Sequence, residues 1–300
     1  MKTKSHRRTF LKRGAMLGGG LLLLGPKAQP SRAAGAETNP AGGAASPANE
    51  TLKTIRNLRT IHGNFLDQPL PKSALQTILQ ASVRAANASN NQSYSIIVVK
   101  DRKRMSDVCG YQGGCLLVYC ADLNRIQACA EALGHPYDPG TIENFVTATI
   151  NTLLAAQTAV IAARSLGIDS LLTNGVHRGD MERHWTLLDL PRTHCFPVIA
   201  LVLGYPTREP AFQKGRLTGA GVVHNEKYHR LTREETDEII REYDNKPRHL
   251  GLNEDWAAGG YKHYLDWFFE EWVGRNNQPP GETQMLRLLK RSGFVEPQKT

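Results

Sequence analysis

The chain has 300 residues, 40% of them apolar and 22% charged, with a formal net charge of +9 and five cysteines. Eight Lys and Arg and no acid stand in residues 1–36, so only about one unit of positive charge belongs to the rest, and the basic balance gives no ground for a nucleic-acid partner. The remaining length suits one large core, or one domain with an extension.

The first predicted element is a leader. Arg7-Arg8-Thr9-Phe10-Leu11-Lys12 is an arginine pair followed by Phe, Leu and Lys. Behind it, Gly14 to Gly25 is an apolar and glycine run, well short of the roughly 20 residues that span a bilayer. Ala34-Gly35-Ala36 makes a small-x-small processing site. Together these read as a twin-arginine signal peptide over residues 1–36, which predicts the Tat translocase as export partner and a periplasmic location. That route carries folded proteins, commonly with a cofactor inside, so a tightly held redox cofactor is the first expectation. Residues 37–50, rich in Ala, Gly, Pro and Asn, read as a flexible linker. The main domain is expected over 51–245 and a C-terminal helical extension over 246–300.

Helical and strand patterns then alternate, predicting an α+β or α/β layer structure. Lys72 to Ala86 carries Leu75, Ile78, Leu79, Val83 and Ala86 at amphipathic helical spacing. Ser95 to Val99, Leu116 to Ala121 and Phe196 to Leu203 read as buried strands, the last closed by Gly204-Tyr205-Pro206. Ile142 to Leu166 is a long helix with few charges, placed in the core or at a subunit interface. Thr232 and Glu235 form a capping box for a helix reaching Tyr243. Tyr261, Tyr264, Leu265, Phe268 and Trp272 recur at helical spacing, as core or dimer contact, and a last helix, Met285 to Lys290, ends near Gly293.

The cysteines at 109, 115, 120, 129 and 195 contain no C-x-x-C pair. Cys115 and Cys120 bracket an apolar run, so they are expected as buried strand thiols, with one unplaced disulfide left open. No metal site is predicted. The chain also lacks G-x-S-x-G, H-E-x-x-H and G-x-G-x-x-G motifs, which leaves a hydrolase, a zinc protease and a Rossmann dehydrogenase without their defining geometry.

Four separated segments carry the chemistry. Arg59 and Thr60 can grip one phosphate, the guanidinium through its fork and the hydroxyl by a single bond, with His62 two residues on. Asn90-Asn91-Gln92 lies in a carboxamide-rich turn offering donors and acceptors together, as the edge of a flavin pyrimidine requires. Asn174-Gly175 is a small turn after an apolar segment, where glycine lets backbone approach a flat ring. Lys214-Gly215-Arg216 places two cations on one side of an extended segment.

In order and spacing over roughly residues 51–243, these segments resemble the nitroreductase family of FMN-dependent oxidoreductases. Arg59-Thr60-Ile61-His62 is similar to its Arg-Ser-x-Arg opening, and Asn90-Asn91-Gln92-Ser93-Tyr94 to its Asn-x-Gln-Pro-Trp turn. Asn174-Gly175 is similar to its glycine loop, Lys214-Gly215-Arg216 to its Lys-x-Arg clamp, and Gly204-Tyr205-Pro206 to a typical strand end. His62, Ser93 and Tyr94 depart from the pattern. The resemblance implies an α+β fold, a central mostly antiparallel sheet flanked by helices, in an interlocked homodimer with FMN at the subunit interface. It implies Arg59, Thr60, Lys214 and Arg216 on the phosphate, with His62 facing the phosphate or the flavin O2 edge. Asn90 and Gln92 would lie on the ring edge, and Asn174 or the Gly175 amide beside N5. No amino-acid nucleophile is then needed, since the flavin itself exchanges hydride. Ping-pong reduction of a nitroaromatic, quinone or similar small-molecule acceptor follows as the expected activity. Export separates the chain from cytoplasmic NAD(P)H and leaves the electron donor open. Two other classes stay in view: an exported flavin- or ligand-binding protein without general turnover, and an interaction module whose aromatic tail docks a redox partner.

Overall fold

A computed structural model describes residues 49–274 and 282–295. The expected leader at 1–36 and nearly all of the linker expected at 37–50 lie outside the described residues.

Four antiparallel strands form one sheet: β1 (Tyr94–Val99), β2 (Cys115–Asp122), β3 (Asp169–Thr173) and β4 (Cys195–Gly204), in the spatial order β1-β2-β4-β3. The two central strands are buried on both faces, which is why they read as continuous apolar runs rather than alternating ones. Their side chains still divide by the two-residue strand period. Leu116, Val118, Cys120, Ala200 and Val202 join one core cluster, while Cys115, Leu117, Tyr119, Leu201 and Leu203 join the other. The pairing of β2 with β4 shifts register between Tyr119 and Cys120.

Around the sheet run α1 (Glu50–Arg56), α2 (Lys72–Ser82), α3 (Arg102–Cys109), α4 (Asn124–Ala132), α5 (Ile142–Ser165), α6 (Arg183–Leu187), α7 (Arg233–Asp244), α8 (Tyr264–Trp267) and α9 (Gln284–Arg291). On one face, Ala155, Ala156, Ala159 and Ala163 of α5 pack with Leu75 and Ile78 of α2 against the sheet. Alanines at this spacing leave no bulk between helix and strands, so α5 lies close across them. By length and composition α5 could cross a membrane, but its buried alanine face makes it a core helix here. On the other face, Met105, Val108 and Cys109 of α3 meet Trp185 of α6. Leu288 of α9 and Phe294 lie in that same cluster, so the extension contributes to the main core.

Local chemistry sets several element ends. Asp101 caps α3 through the Arg104 amide at 2.7 Å, and Thr141 caps α5 through the Asn144 amide at 3.2 Å. Thr232 and Glu235 form the expected reciprocal box at α7. Gly293, at φ 76°, follows α9 as its C′ residue. The helix expected to reach Ala86 stops at Ser82, whose hydroxyl is turned inward onto the Ala155 carbonyl at 2.9 Å and the Tyr119 hydroxyl at 3.0 Å. The aromatic stripe is not one α-helix: α8 passes at Phe268 into a π-helical turn, Phe268–Val273. Tyr264 is buried there, stacked 5.5 Å from Tyr243. Four of the five cysteines are buried and all are free thiols, with Cys129 exposed. A hydrogen bond with Cys195, together with burial, pushes the Cys120 thiol well above its ordinary range.

Candidate active site

Arg59 is positioned by a short addition to the sheet edge. Thr60 bridges Ser170 of β3 in parallel, with the Ile61 amide donating to the Ser170 carbonyl at 3.0 Å. This carries Arg59 alongside Asp169, the first residue of β3. Arg59 Nε donates to Asp169 Oδ1 at 2.8 Å and Nη2 to Oδ2 at 2.6 Å, while Arg164 Nη1 reaches Oδ1 at 3.0 Å. Glu209, on the irregular segment after β4, takes Arg59 Nη1 at 2.5 Å. Asp169 first and Glu209 second push the Arg59 guanidinium above its ordinary pKa, with burial working the other way.

Lys214 and Arg216 arrive from that later segment. Gly215 between them is pressed on the 246–250 turn: its amide donates to the Arg248 carbonyl at 3.1 Å, and Arg248 Nη2 returns a bond to the Arg216 carbonyl at 3.0 Å. Lys214 Nζ donates to the Gly251 carbonyl and Glu254 Oε1, each at 2.5 Å. Glu254 also accepts from His249 Nδ1 at 3.0 Å, and the His249 ring stacks on Phe212 at 3.7 Å. Arg216 Nη1 is satisfied by the carbonyls of Lys214 and Gly215.

These segments converge. A cavity of about 540 Å3 is lined by Arg59, Thr60, Lys214 and Arg216 together with Gln157 and Ser170. A second, of about 220 Å3, shares those four residues and adds His62 and the 250–252 segment of the extension. Five of the expected site residues therefore face adjoining space, and the larger cavity falls within the roughly 300–1,000 Å3 typical of small-ligand and cofactor sites.

The other four do not line either cavity. Asn90 and Gln92 lie just before β1, in a turn where Ser89, Asn90 and Gln92 all adopt positive φ near 50°. Such backbone persists only when its surroundings hold it. Here Asn151, buried on α5, donates to Asn91 Oδ1 and Ser93 Oγ at 3.0 Å each and accepts the Ala88 amide at 2.9 Å. The result is a rigid turn that leaves the Asn90 and Gln92 side chains exposed. Asn151 escapes a sequence reading because a lone Asn inside an apolar helix resembles a tolerated polar position.

Asn174 and Gly175 follow β3 directly. Asn174 is exposed, and its carbonyl accepts the His177 amide at 2.8 Å. The close approach at Gly175 is to protein: an added Cβ would sit 2.3 Å from the Cys109 carbonyl oxygen, and the Gly175 amide donates to Thr173 Oγ1 at 3.0 Å. The loop is also tied from below, His184 Nε2 bonding the Val176 carbonyl at 2.7 Å and His177 Nε2 the Pro197 carbonyl at 3.0 Å.

Burial pushes both histidines below the ordinary range. A proton on the fully buried His184 would lose solvation and face Arg183 and His177, against which the Val176 carbonyl and Asp180 offer a smaller return. The unfolded chain takes that proton near the ordinary value of about 6.5, and the folded chain only at lower pH. Stability should therefore be complete above about pH 6.5 and decline as pH falls below it. Thermal unfolding followed from pH 7.5 to 5 should show this decline, and His184→Gln should make it shallower, with His177 keeping its own share. An equally steep decline in that variant would remove the assignment to His184.

Fold and cavity together define an α+β protein with a cavity at the edge of its sheet where Arg59, Lys214, Arg216 and Thr60 meet. No family model matches the sequence. Curated relatives do. An FMN reductase (NADPH) of Bacillus subtilis is 31% identical over 225 residues, covering 70% of this chain and 89% of the relative. An oxygen-insensitive NADPH nitroreductase of Salmonella typhimurium is 31% identical over 210 residues, covering 67% and 81%. Among solved structures, the NfrA1 nitroreductase from B. subtilis superposes with a TM-score of 0.69 at 27% identity, covering 81% of this chain and 98% of that one. The chain belongs to the nitroreductase family of FMN-dependent oxidoreductases and is an enzyme of that class.

Proposed function

We propose that this chain is an exported, homodimeric FMN enzyme that reduces nitroaromatic, quinone or similar acceptors. The observation that carries the reading is the meeting of Arg59, Thr60, Lys214 and Arg216 on one cavity. Two guanidiniums, an ammonium and a hydroxyl are the donor set a phosphate monoester needs, so the residues fit the cofactor. When bound, FMN supplies hydride uptake and delivery. The chain supplies the rest. Its cations hold the phosphate end, and Gln157 and Ser170 offer further polar contacts along the cavity wall. Asn174 and Gly175 close the loop assigned to the N5 side, where the exposed Asn174 carboxamide is available as a donor.

A second copy accounts for the turn that one protomer leaves outside the cavity. Ile142, Val146, Ile150, Leu153 and Leu154 form an exposed apolar stripe along α5, a pattern that a subunit contact would cover. Asn151 ties the Asn90–Gln92 turn to that same helix, so a copy docking along the stripe brings its own carboxamides with it.

Export rests on Arg7-Arg8, the apolar run behind them and Ala34-Gly35-Ala36. Residues 51–245 are assigned to the flavin domain and 246–300 to an extension, of which residues 250–252 line the smaller cavity. Several relatives carry NADPH in their names, whereas an exported enzyme meets little of that donor, so the donor is the element to measure. The full chain, expressed and purified from the periplasmic fraction, should be yellow, dimeric, and bleached anaerobically by a reductant from a panel containing NADPH, NADH and quinols. Colour should return on adding a nitroaromatic or quinone. A colourless protein removes the cofactor assignment, and colour that no reductant bleaches favours a binding protein without turnover. Absence from the periplasmic fraction removes export.

A further inference from the structure

Arg59 gives two bonds to each of two carboxylates, with Glu209 taking Nη1 at 2.5 Å and Nη2 at 3.3 Å, but the two differ in burial and bracing. Asp169 is 2% exposed, receives two parallel bonds from Arg59 and is braced by Arg164. Glu209 is 74% exposed, has Arg59 as its ion-pair partner, and sits on the solvent side of the guanidinium. Arg59 lines both cavities of the site, and Glu209 lines neither; Asp169 takes the Nε and Nη2 side of the fork, so the Nη1 edge that Glu209 covers is the one left for an incoming anion. We propose that Glu209 is a displaceable internal anion: it occupies the ligand-facing edge of Arg59, yields it to the phosphate of a bound flavin nucleotide, and so weakens the hold on that phosphate. The inference rests on the FMN-site reading above.

An exposed carboxylate on an irregular segment gives up little on leaving and regains side-chain freedom. A phosphate offers three acceptor oxygens to the same fork and, being doubly charged, repels any carboxylate that stays. Asp169 cannot exchange in this way, because its departure would strand two part-buried guanidiniums. Glu254 also differs from Glu209, since Lys214 and His249 both hold it. Arg59 lowers the Glu209 pKa by its hydrogen bond, which keeps the competing group ionised across the neutral range.

The test compares wild type, Glu209→Gln and Glu226→Gln. The last removes the same charge from another exposed position that makes no contact with Arg59. Purified proteins are equilibrated with FMN or with riboflavin, which lacks the phosphate, and dissociation constants are read from flavin fluorescence at low and at high salt. Glu209→Gln should bind FMN about two- to fivefold more tightly at low salt, bind riboflavin unchanged, and lose the gain at high salt. Glu226→Gln should match wild type. Unchanged or weaker FMN binding in Glu209→Gln overturns the proposal, as does an equal gain for riboflavin or an equal gain in Glu226→Gln. A wild type that binds neither flavin removes the site reading itself, and this inference with it.

Discussion

Asp169→Asn should empty the flavin site and cost the fold about 2–4 kcal/mol, a little below the usual 3–5 for removing one member of a buried ion pair because both arginines keep some solvent. The substitution conserves volume, so the loss is electrostatic. Asp169 neutralises Arg59 and Arg164 at once, with contacts of 2.6, 2.8 and 3.0 Å. An asparagine offers one acceptor oxygen where two were used, and its amide group points donors at donors. The two guanidiniums then repel each other at the edge of β3. Arg59, freed from its two-point hold, swings to solvent or to Glu209. Since the proposed phosphate contact depends on that orientation, flavin content should fall together with stability. Urea unfolding gives the stability change, and the ratio of flavin to protein absorbance gives the occupancy. Arg59→Lys separates the two effects: a lysine still neutralises Asp169 but lacks the fork, so its flavin loss should exceed its stability loss. An Asp169→Asn protein with wild-type unfolding and full flavin would remove Asp169 from the site.

The sequence displays the two halves of this arrangement unequally. Arg59-Thr60 and Lys214-Gly215-Arg216 stand out because clustered cations and hydroxyls are visible at short range. Asp169 does not stand out, since an aspartate between a glycine-bearing turn and an apolar strand looks like an ordinary turn residue. Its partner lies 110 positions away, and only the Thr60–Ser170 bridge brings the two together. Asn151 is hidden for a similar reason. β2 and β4 were legible because they are long unbroken apolar runs, and the α7 start because a capping box is local chemistry; β3 was not read as a strand, since Asp169–Thr173 is only five residues long and opens on Asp and Ser. The end of α2 was not, since it depends on where the Ser82 hydroxyl goes, and the stripe from Tyr261 to Trp272 concealed a change of helix type at Phe268. Asn90 and Gln92 were legible as a carboxamide turn, but not their separation from the cations, because a linear pattern carries no distance between segments.

Gly215→Ala should have the other large effect, for a reason the motif alone does not reveal. The cations of Lys214-Gly215-Arg216 invite attention, yet it is the glycine that fixes where they point. A Cβ built there would lie 2.2 Å from the Arg248 carbonyl oxygen and 3.2 Å from Leu250 Cδ2. The first distance is far inside van der Waals contact, and the obstructing atom is backbone, so rotating a side chain cannot relieve it. Either the segment moves off the 246–250 turn, breaking the Gly215 amide bond to Arg248, or the turn moves and takes with it the Gly251 carbonyl and Glu254 that hold Lys214. Both routes displace Lys214 and Arg216 from the shared cavity. Overpacking of this kind costs about 1–3 kcal/mol, and losing the geometry of the two proposed phosphate contacts should weaken FMN binding by at least about tenfold, the equivalent of roughly 1.4 kcal/mol. Gly219→Ala is the matched control, because nothing lies within 4 Å of the point where its methyl group would stand; it should retain both stability and flavin. Thermal unfolding and flavin titration on the two variants decide the matter. If Gly215→Ala holds FMN as tightly as Gly219→Ala does, the cations reach their ligand without help from the extension, and residues 246–254 lose their place as a wall of the site.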